Sequence, residues 1–203
     1  RRERVVVDRQ LSCGYMHSGY PIMAHMDFAE RALDAGRMAA EGDWGIFHEL
    51  GHNMQRGWWT WGSASEVTVN LFSLHAMEEV VGRAPSLAFD ARCREDARAF
   101  AAAGRPYAQW CKKPFVALHM YVELIAAFGW DTLKKVLKGY EDDPPGGLDS
   151  DGKKMGEWAV RYSLAAGKDL VGFFAARWNL PFDRAAAEAK LPAGLEQWTG
   201  PAD

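Results

Sequence analysis

The 203-residue sequence lacks a basic excess, since Lys and Arg number 24 against 27 for Asp and Glu, a formal charge of −3. No basic excess is available to neutralise a phosphate backbone, and nucleic acid is not an expected partner. A long apolar run is also missing. The longest candidate, Phe115 to Trp130, is interrupted by His119 and Glu123, so it reads as a packed helix and no membrane insertion is expected for this fragment. Cysteine is scarce: Cys13, Cys93 and Cys111 are scattered and form no CxxC pair, which excludes a disulfide framework. One disulfide with one free thiol stays open. The opening Arg1-Arg2-Glu3-Arg4-Val5-Val6-Val7 has neither a start methionine nor a signal peptide, and the expectation is a piece cut from a longer precursor. What is present, 48% hydrophobic and 25% charged residues, describes a soluble globular chain, expected to form a single domain over 1–203.

Apolar periodicity predicts a mainly α-helical fold with a small strand remnant at the N-terminus. The β-branched run Val5-Val6-Val7 predicts a strand over 4–8, followed by loop to about Ala24. Helical spacing begins at Asp27, where Glu30 completes a capping-box pattern, and runs on toward Gly36 or Gly42. Helices are predicted next over 43–57 and 63–81, the latter ended by Gly82 and Pro85. Further helices are expected at about 88–103, 114–128, 130–140, 153–166, 168–178 and 182–190. The acidic segment Glu141 to Lys154 lacks the alternation and closing Glu of a calcium loop and reads as a solvated turn.

Chemistry concentrates in Asp43-Trp44-Gly45-Ile46-Phe47-His48-Glu49-Leu50-Gly51-His52-Asn53, an HExxH motif inside a segment that already reads as helix. Residues four apart on a helix are rotated by about 40°, so His48 and His52 face the same way one turn apart and can offer two imidazole nitrogens to one metal ion. Glu49 lies about 100° round, beside the metal and free to take a proton from a metal-bound water. The alternative is local packing by two histidines with an exposed glutamate. A catalytic zinc site needs a third protein ligand. His17, His25, His75 and His119 lack the short spacing of an HExxHxxGxxH site, which leaves a carboxylate. Glu66, beyond the turn marked by Gly57 and Gly62, is the candidate, although Ser63-Ala64-Ser65-Glu66 is equally a capping box. Asn70, one turn after Glu66, is placed to accept the outer N–H of a ligating histidine.

These residues carry a resemblance. His48-Glu49-Leu50-Gly51-His52-Asn53, Trp59-Thr60-Trp61-Gly62, Glu66-Val67-Thr68-Val69-Asn70 and the upstream Gly14-Tyr15-Met16-His17-Ser18-Gly19-Tyr20-Pro21 resemble the enhancin-like gluzincin domain of peptidase family M sixty. That family includes viral enhancins and bacterial mucin-degrading proteases. The similar domain of TRP-channel-associated factors shares His17-Ser18-Gly19-Tyr20-Pro21 and Glu49-Leu50-Gly51, and the stretch from Asp169 to Trp178 fits as well. The resemblance implies a zincin-type gluzincin core with Zn2+ on His48, His52 and Glu66, and Glu49 as catalytic base. Thermolysin-like gluzincins have Asp where Asn70 stands.

The implied reaction is peptide hydrolysis in glycoproteins, mucin-like O-glycosylated ones included, by a secreted or surface-exposed zinc endopeptidase. Such a mechanism also needs a donor for the developing oxyanion. Tyr20, His17 and Tyr121 are the candidates, with Tyr20 preferred because Gly19 and Pro21 would hold it in a rigid turn. Trp58, Trp59 and Trp61 cluster between the two site helices. As exposed rings, Trp59 and Trp61, with His17 nearby, would floor a substrate cleft and stack on sugars; as buried rings they would only pack. The competing reading is a catalytically idle, peptidase-like interaction module of the channel-associated kind, which would have no need of a complete His48, Glu49, His52 and Glu66 set. A closed structural zinc site is a third reading, disfavoured because such sites use four Cys or His ligands.

Overall fold

A computed structural model describes residues 2–62, 64–83 and 91–201. Ser63, read as a cap, Pro85, read as a helix stop, and the 88–90 start of one expected helix lie outside these residues. Among the described residues the fold is mainly helical with one three-stranded sheet. No helix among them is long and apolar enough to cross a membrane. By its contacts the chain forms two compact units, Arg1–Gln55 with Thr68–Leu87 and Arg56–Val67 with Ala88–Asp203.

In the first unit, β1 (Val5–Asp8) pairs in parallel with β3 (Ile22–His25), with Val5 opposite Ile22. β2 (Met16–His17) pairs antiparallel to the other side of β3, with Met16 opposite Ala24. The first strand matches its prediction. The other two fall where loop was expected, because so short a strand, lacking a β-branched run, is specified by its partners and not by its own sequence. Ile22 and Ala24 point inward from β3 and join Phe28 and Ile46 in a small core, with Met16, Met38, Phe47 and Leu50 against it.

The helix expected from Asp27 onward is two helices, α1 (Phe28–Leu33) and α2 (Ala35–Glu41). Asp34 breaks it: its side chain accepts from the Arg37 N–H and caps α2, the local competition by which Asp interrupts a helix. Asp27 does not form the expected capping box, since its carboxylate accepts from His25 Nδ1 at 2.9 Å instead. α3 (Trp44–Met54) lies within the predicted 43–57 and ends before Gly57; Asp43 caps it, its Oδ1 accepting from the Ile46 N–H at 3.0 Å. Asp43 is buried, and its Oδ2 is neutralised by Arg31 Nη2 at 2.6 Å. α4 (Ser65–His75) stops short of the predicted 81 and passes into a π-helical turn at Ala76–Val80. The division between the units falls within α4, between Val67 and Thr68.

The second unit holds α5 (Ala91–Ala102), α6 (Tyr107–Trp110), α7 (Pro114–Asp142), α8 (Asp151–Ala166) and α9 (Arg184–Glu188). The two helices expected at 114–128 and 130–140 are the two arms of α7, bent at Gly129, whose φ of 75° and ψ of 165° suit only glycine. The helix expected over 168–178 is largely a π-helical turn at Phe173–Arg177. Glu123, the charge within the apolar run, accepts from Arg177 Nε and Nη2 at 3.1 and 3.0 Å and from Trp178 Nε1 at 3.0 Å. Trp158 stands at the centre of this unit's core, stacked on Tyr140 and edge-on to Trp61 and Tyr121. The acidic 141–154 segment makes surface pairs such as Lys138 with Asp142 and Lys153 with Asp149.

Candidate metal centre

α3 places His48 and His52 one turn apart, as the motif requires, with their Nε2 atoms 3.1 Å from each other. His48 Nδ1 is 2.9 Å from Asn70 Oδ1 on α4. His52 Nδ1 is 2.8 Å from Gln55 Oε1, just past the end of α3. Each partner presents an oxygen, so each Nδ1 donates, and in the neutral imidazole the lone pair lies on Nε2, on the inner side. Two lone pairs at that separation repel unless a cation lies between them. Nitrogens each about 2.0–2.1 Å from one tetrahedral zinc stand about 3.3 Å apart, close to the observed spacing. The donor set therefore fits a divalent metal of the zinc type.

Glu66 stands in the first turn of α4, one turn before Asn70. The ligand-capable atoms of His48, His52 and Glu66 all lie within 4.8 Å of one another. Both histidines are half-buried and the glutamate is exposed. Close approach of α3 and α4 depends on Gly51. A Cβ there would lie 2.9 Å from Val69 Cγ2, 2.9 Å from the Val69 carbonyl oxygen and 3.0 Å from Phe72 Cβ. Glu49 is half-buried on α3.

The His17-Ser18-Gly19-Tyr20-Pro21 segment runs from β2 to β3 through a cis Tyr20–Pro21 peptide bond. Asn53 ties it to α3, accepting from the Gly19 N–H and donating to the Gly19 carbonyl, each at 3.0 Å. The Tyr20 hydroxyl, on a side chain in a residue 56% exposed, donates to Glu3 Oε1 at 2.9 Å, and Asn53 Nδ2 reaches Glu3 Oε2 at 3.3 Å. His17 lies in β2, its Nδ1 donating to the Ser18 carbonyl and its Nε2 accepting from Ser12 Oγ, each at 3.0 Å. Tyr121, the third donor considered, is buried in the aromatic core of the second unit, where burial raises its pKa well above the usual tyrosine value.

The tryptophan turn corrects the expectation of a sugar platform. Trp61 is fully buried and Trp59 is 3% exposed. Trp61 stacks on Trp110 with centroids 6.1 Å apart and meets Trp158 edge-on at 6.3 Å. A ring enclosed on both faces offers none to a sugar, and these two indoles are core. Sequence reasoning missed Gln55 and the latching role of Asn53. Asn53 had a signal, being adjacent to the motif; Gln55 had only its three-residue offset from His52.

A mainly helical chain with an HExxH pair on α3 and a carboxylate in the first turn of α4 has the make-up of a protease-like domain. The chain belongs to the peptidase M60, enhancin and enhancin-like family, whose sequence profile matches residues 1–179. It is 35% identical over 203 residues to TRPM8 channel-associated factor 2 of Homo sapiens, covering 98% of this chain and 21% of that protein. It is 38% identical over 186 residues to a TRPM8 channel-associated factor homolog of Danio rerio, covering 89% of this chain and 20% of that protein. The chain thus spans about a fifth of these curated relatives. A functionally unknown conserved protein of Bacillus anthracis has the same fold over 96% of this chain and 39% of its own, at a TM-score of 0.79 and 28% identity. IMPa of Pseudomonas aeruginosa, solved in complex with an O-glycopeptide, matches 97% of this chain and 26% of its own at a TM-score of 0.68; at 20% identity it shows the fold alone.

Proposed function

We propose that this chain carries a zinc-dependent endopeptidase site that hydrolyses peptide bonds of glycoproteins, mucin-like O-glycosylated ones among them. The observation that carries the reading is the inward pair of His48 and His52 Nε2 atoms, 3.1 Å apart, with the Glu66 carboxylate beside them. His48, His52 and Glu66 are the ligands in this reading. The chemistry that zinc supplies in such a site is Lewis acidity, which polarises a carbonyl and lowers the pKa of bound water. Glu49 accepts the water proton on a carboxylate oxygen and delivers it to the leaving amine nitrogen. Asn70 Oδ1 holds the proton of His48 on Nδ1, so that Nε2 is available as ligand. Tyr20 is the proposed oxyanion donor; in that role its hydroxyl exchanges Glu3 for substrate. The glycoprotein part of the reading is proposed by analogy with IMPa, which shares the fold and was solved in complex with an O-glycopeptide; a secreted or cell-surface location is proposed with it.

A second reading has its own support. The curated relatives are named as channel-associated factors, and a peptidase-like domain that has stopped cleaving would serve as an interaction module. The complete His48, Glu49, His52 and Glu66 set favours the enzyme. The experiment is a matched peptide pair, identical except for one O-linked sugar, incubated with the zinc-loaded protein and with Glu49→Gln. Cleavage of the glycosylated peptide by the native chain alone supports the enzyme. Equal cleavage of both peptides removes the glycan requirement, and zinc uptake without cleavage of any glycopeptide or peptide offered favours the idle module.

A further inference from the structure

We propose that Gln55 is a positioning residue for zinc binding: it fixes His52 through its carbonyl oxygen and is itself fixed by the Thr68 hydroxyl on α4. The inference rests on the zinc reading of His48, His52 and Glu66.

Gln55 sits at the C-cap of α3 with φ −60° and ψ 150°, an extended conformation that takes the chain out of the helix. Its backbone N–H still turns back to the Gly51 and His52 carbonyls, so the residue stays against the last turn. From there the side chain folds back over three residues, and Oε1 lies 2.8 Å from His52 Nδ1. The other end of the amide is also engaged, with Nε2 donating to Thr68 Oγ1 at 2.7 Å. Thr68 is fully buried on α4, so the anchor is set by core packing. With the amide nitrogen committed to Thr68, the oxygen is the end that faces His52. That orientation makes His52 Nδ1 the protonated nitrogen and directs the lone pair of Nε2 toward His48.

The two histidines are thereby held by the same helix along two routes. Asn70 on α4 holds His48 directly, at 2.9 Å, and Thr68 on α4 holds His52 through Gln55. Thr68 lies between Glu66 and Asn70, so one stretch of α4 supplies a ligand and both supports. A glutamine at this point does what neither histidine spacing nor helix geometry does alone, which is to select the tautomer that can bind a cation through Nε2.

The test is zinc affinity, measured by competition with a chromophoric chelator, and the visible absorption of the cobalt(II)-substituted protein, for Gln55→Met, Gln55→Glu, Thr68→Val and His48→Ala. Met keeps the length and packing of Gln but has no comparable acceptor, so Gln55→Met is expected to weaken zinc about 10–100-fold and alter the cobalt absorption. Thr68→Val should weaken zinc to a smaller degree. Gln55→Glu restores an acceptor and should bind at least as tightly as the native chain, even if Gln55→Met folds poorly. Native affinity in Gln55→Met, or at least tenfold weaker binding in Gln55→Glu, overturns the role of Gln55 while leaving the zinc site standing if His48→Ala abolishes binding. No zinc uptake by the native protein overturns both readings.

Discussion

Asn53 and Gly19 exchange two hydrogen bonds, amide oxygen to backbone N–H and amide nitrogen to carbonyl, each 3.0 Å long. A side chain thus pairs with a backbone as a neighbouring strand would, and it joins the end of α3 to the turn bearing Tyr20. Asn53→Ala should cost about 1–3 kcal/mol, since two half-buried backbone groups lose their partner together. Faster hydrogen exchange at the Gly19 amide, with the α3 amides before Gly51 unchanged, is the expected signature; unchanged exchange at Gly19 would show that the latch is not what holds the turn.

Glu49→Gln and Glu66→Ala should separate proton transfer from metal binding. The first is expected to retain the native metal content and fold while turnover falls about 10²–10⁴-fold or more, because an amide cannot accept the water proton. The second should lose zinc by more than the about 10–100-fold typical of groups that only support a ligand. Metal analysis on both variants, read beside a peptide-cleavage assay, checks the assignment. Glu66→Ala with native zinc affinity would remove it from the ligand set.

Gly51→Ala should disturb the site without touching any donor atom. The added methyl would meet Val69 Cγ2 and the Val69 carbonyl oxygen at 2.9 Å, and the backbone atom cannot swing aside. Overpacking of this kind costs about 1–3 kcal/mol and would push α3 and α4 apart. The expected result is a lower unfolding midpoint together with weaker zinc binding, measured on the same sample.

Trp61→Ala should behave as a core truncation, costing about 3–5 kcal/mol. Its indole is enclosed by Trp110 and Trp158. Chemical denaturation gives the number. Native stability combined with a selective loss of cleavage of glycosylated peptides would return the ring to the cleft.

What could be read from the sequence is what local physics specifies. α3 was legible because a capping Asp43, an apolar stripe and the i, i+4 histidines agree on one helix, and Glu66 with Asn70 because helical spacing puts them on one face. β2 and β3 were not legible, since Met16–His17 and Ile22–His25 become strands by pairing with distant partners. The break at Asp34 needed the knowledge that its carboxylate turns to the Arg37 N–H, a choice between two local bonds of similar strength. Gln55 was invisible for a different reason: its function depends on leaving the helix, whereas periodicity describes only residues that stay in it. The tryptophans were legible as a cluster, but the choice between cleft and core was not, because Trp61 is enclosed by Trp110 and Trp158, far along the chain.

Gly51 gives the HExxH segment a second meaning. Its three named motif positions, His48, Glu49 and His52, carry the proposed chemistry, while the glycine among them states how near another helix must come. In the proposed zinc site, metal affinity would therefore also gauge helix spacing, because a Cβ at Gly51 would meet Val69 and Phe72 at 2.9–3.0 Å. A change on the buried side of α4, at Leu71 or Leu74, would register in a metal assay as if a ligand had been damaged. Genetic screens for lost activity would then return packing residues mixed with true donors, and only a comparison of metal content against folding stability would sort them.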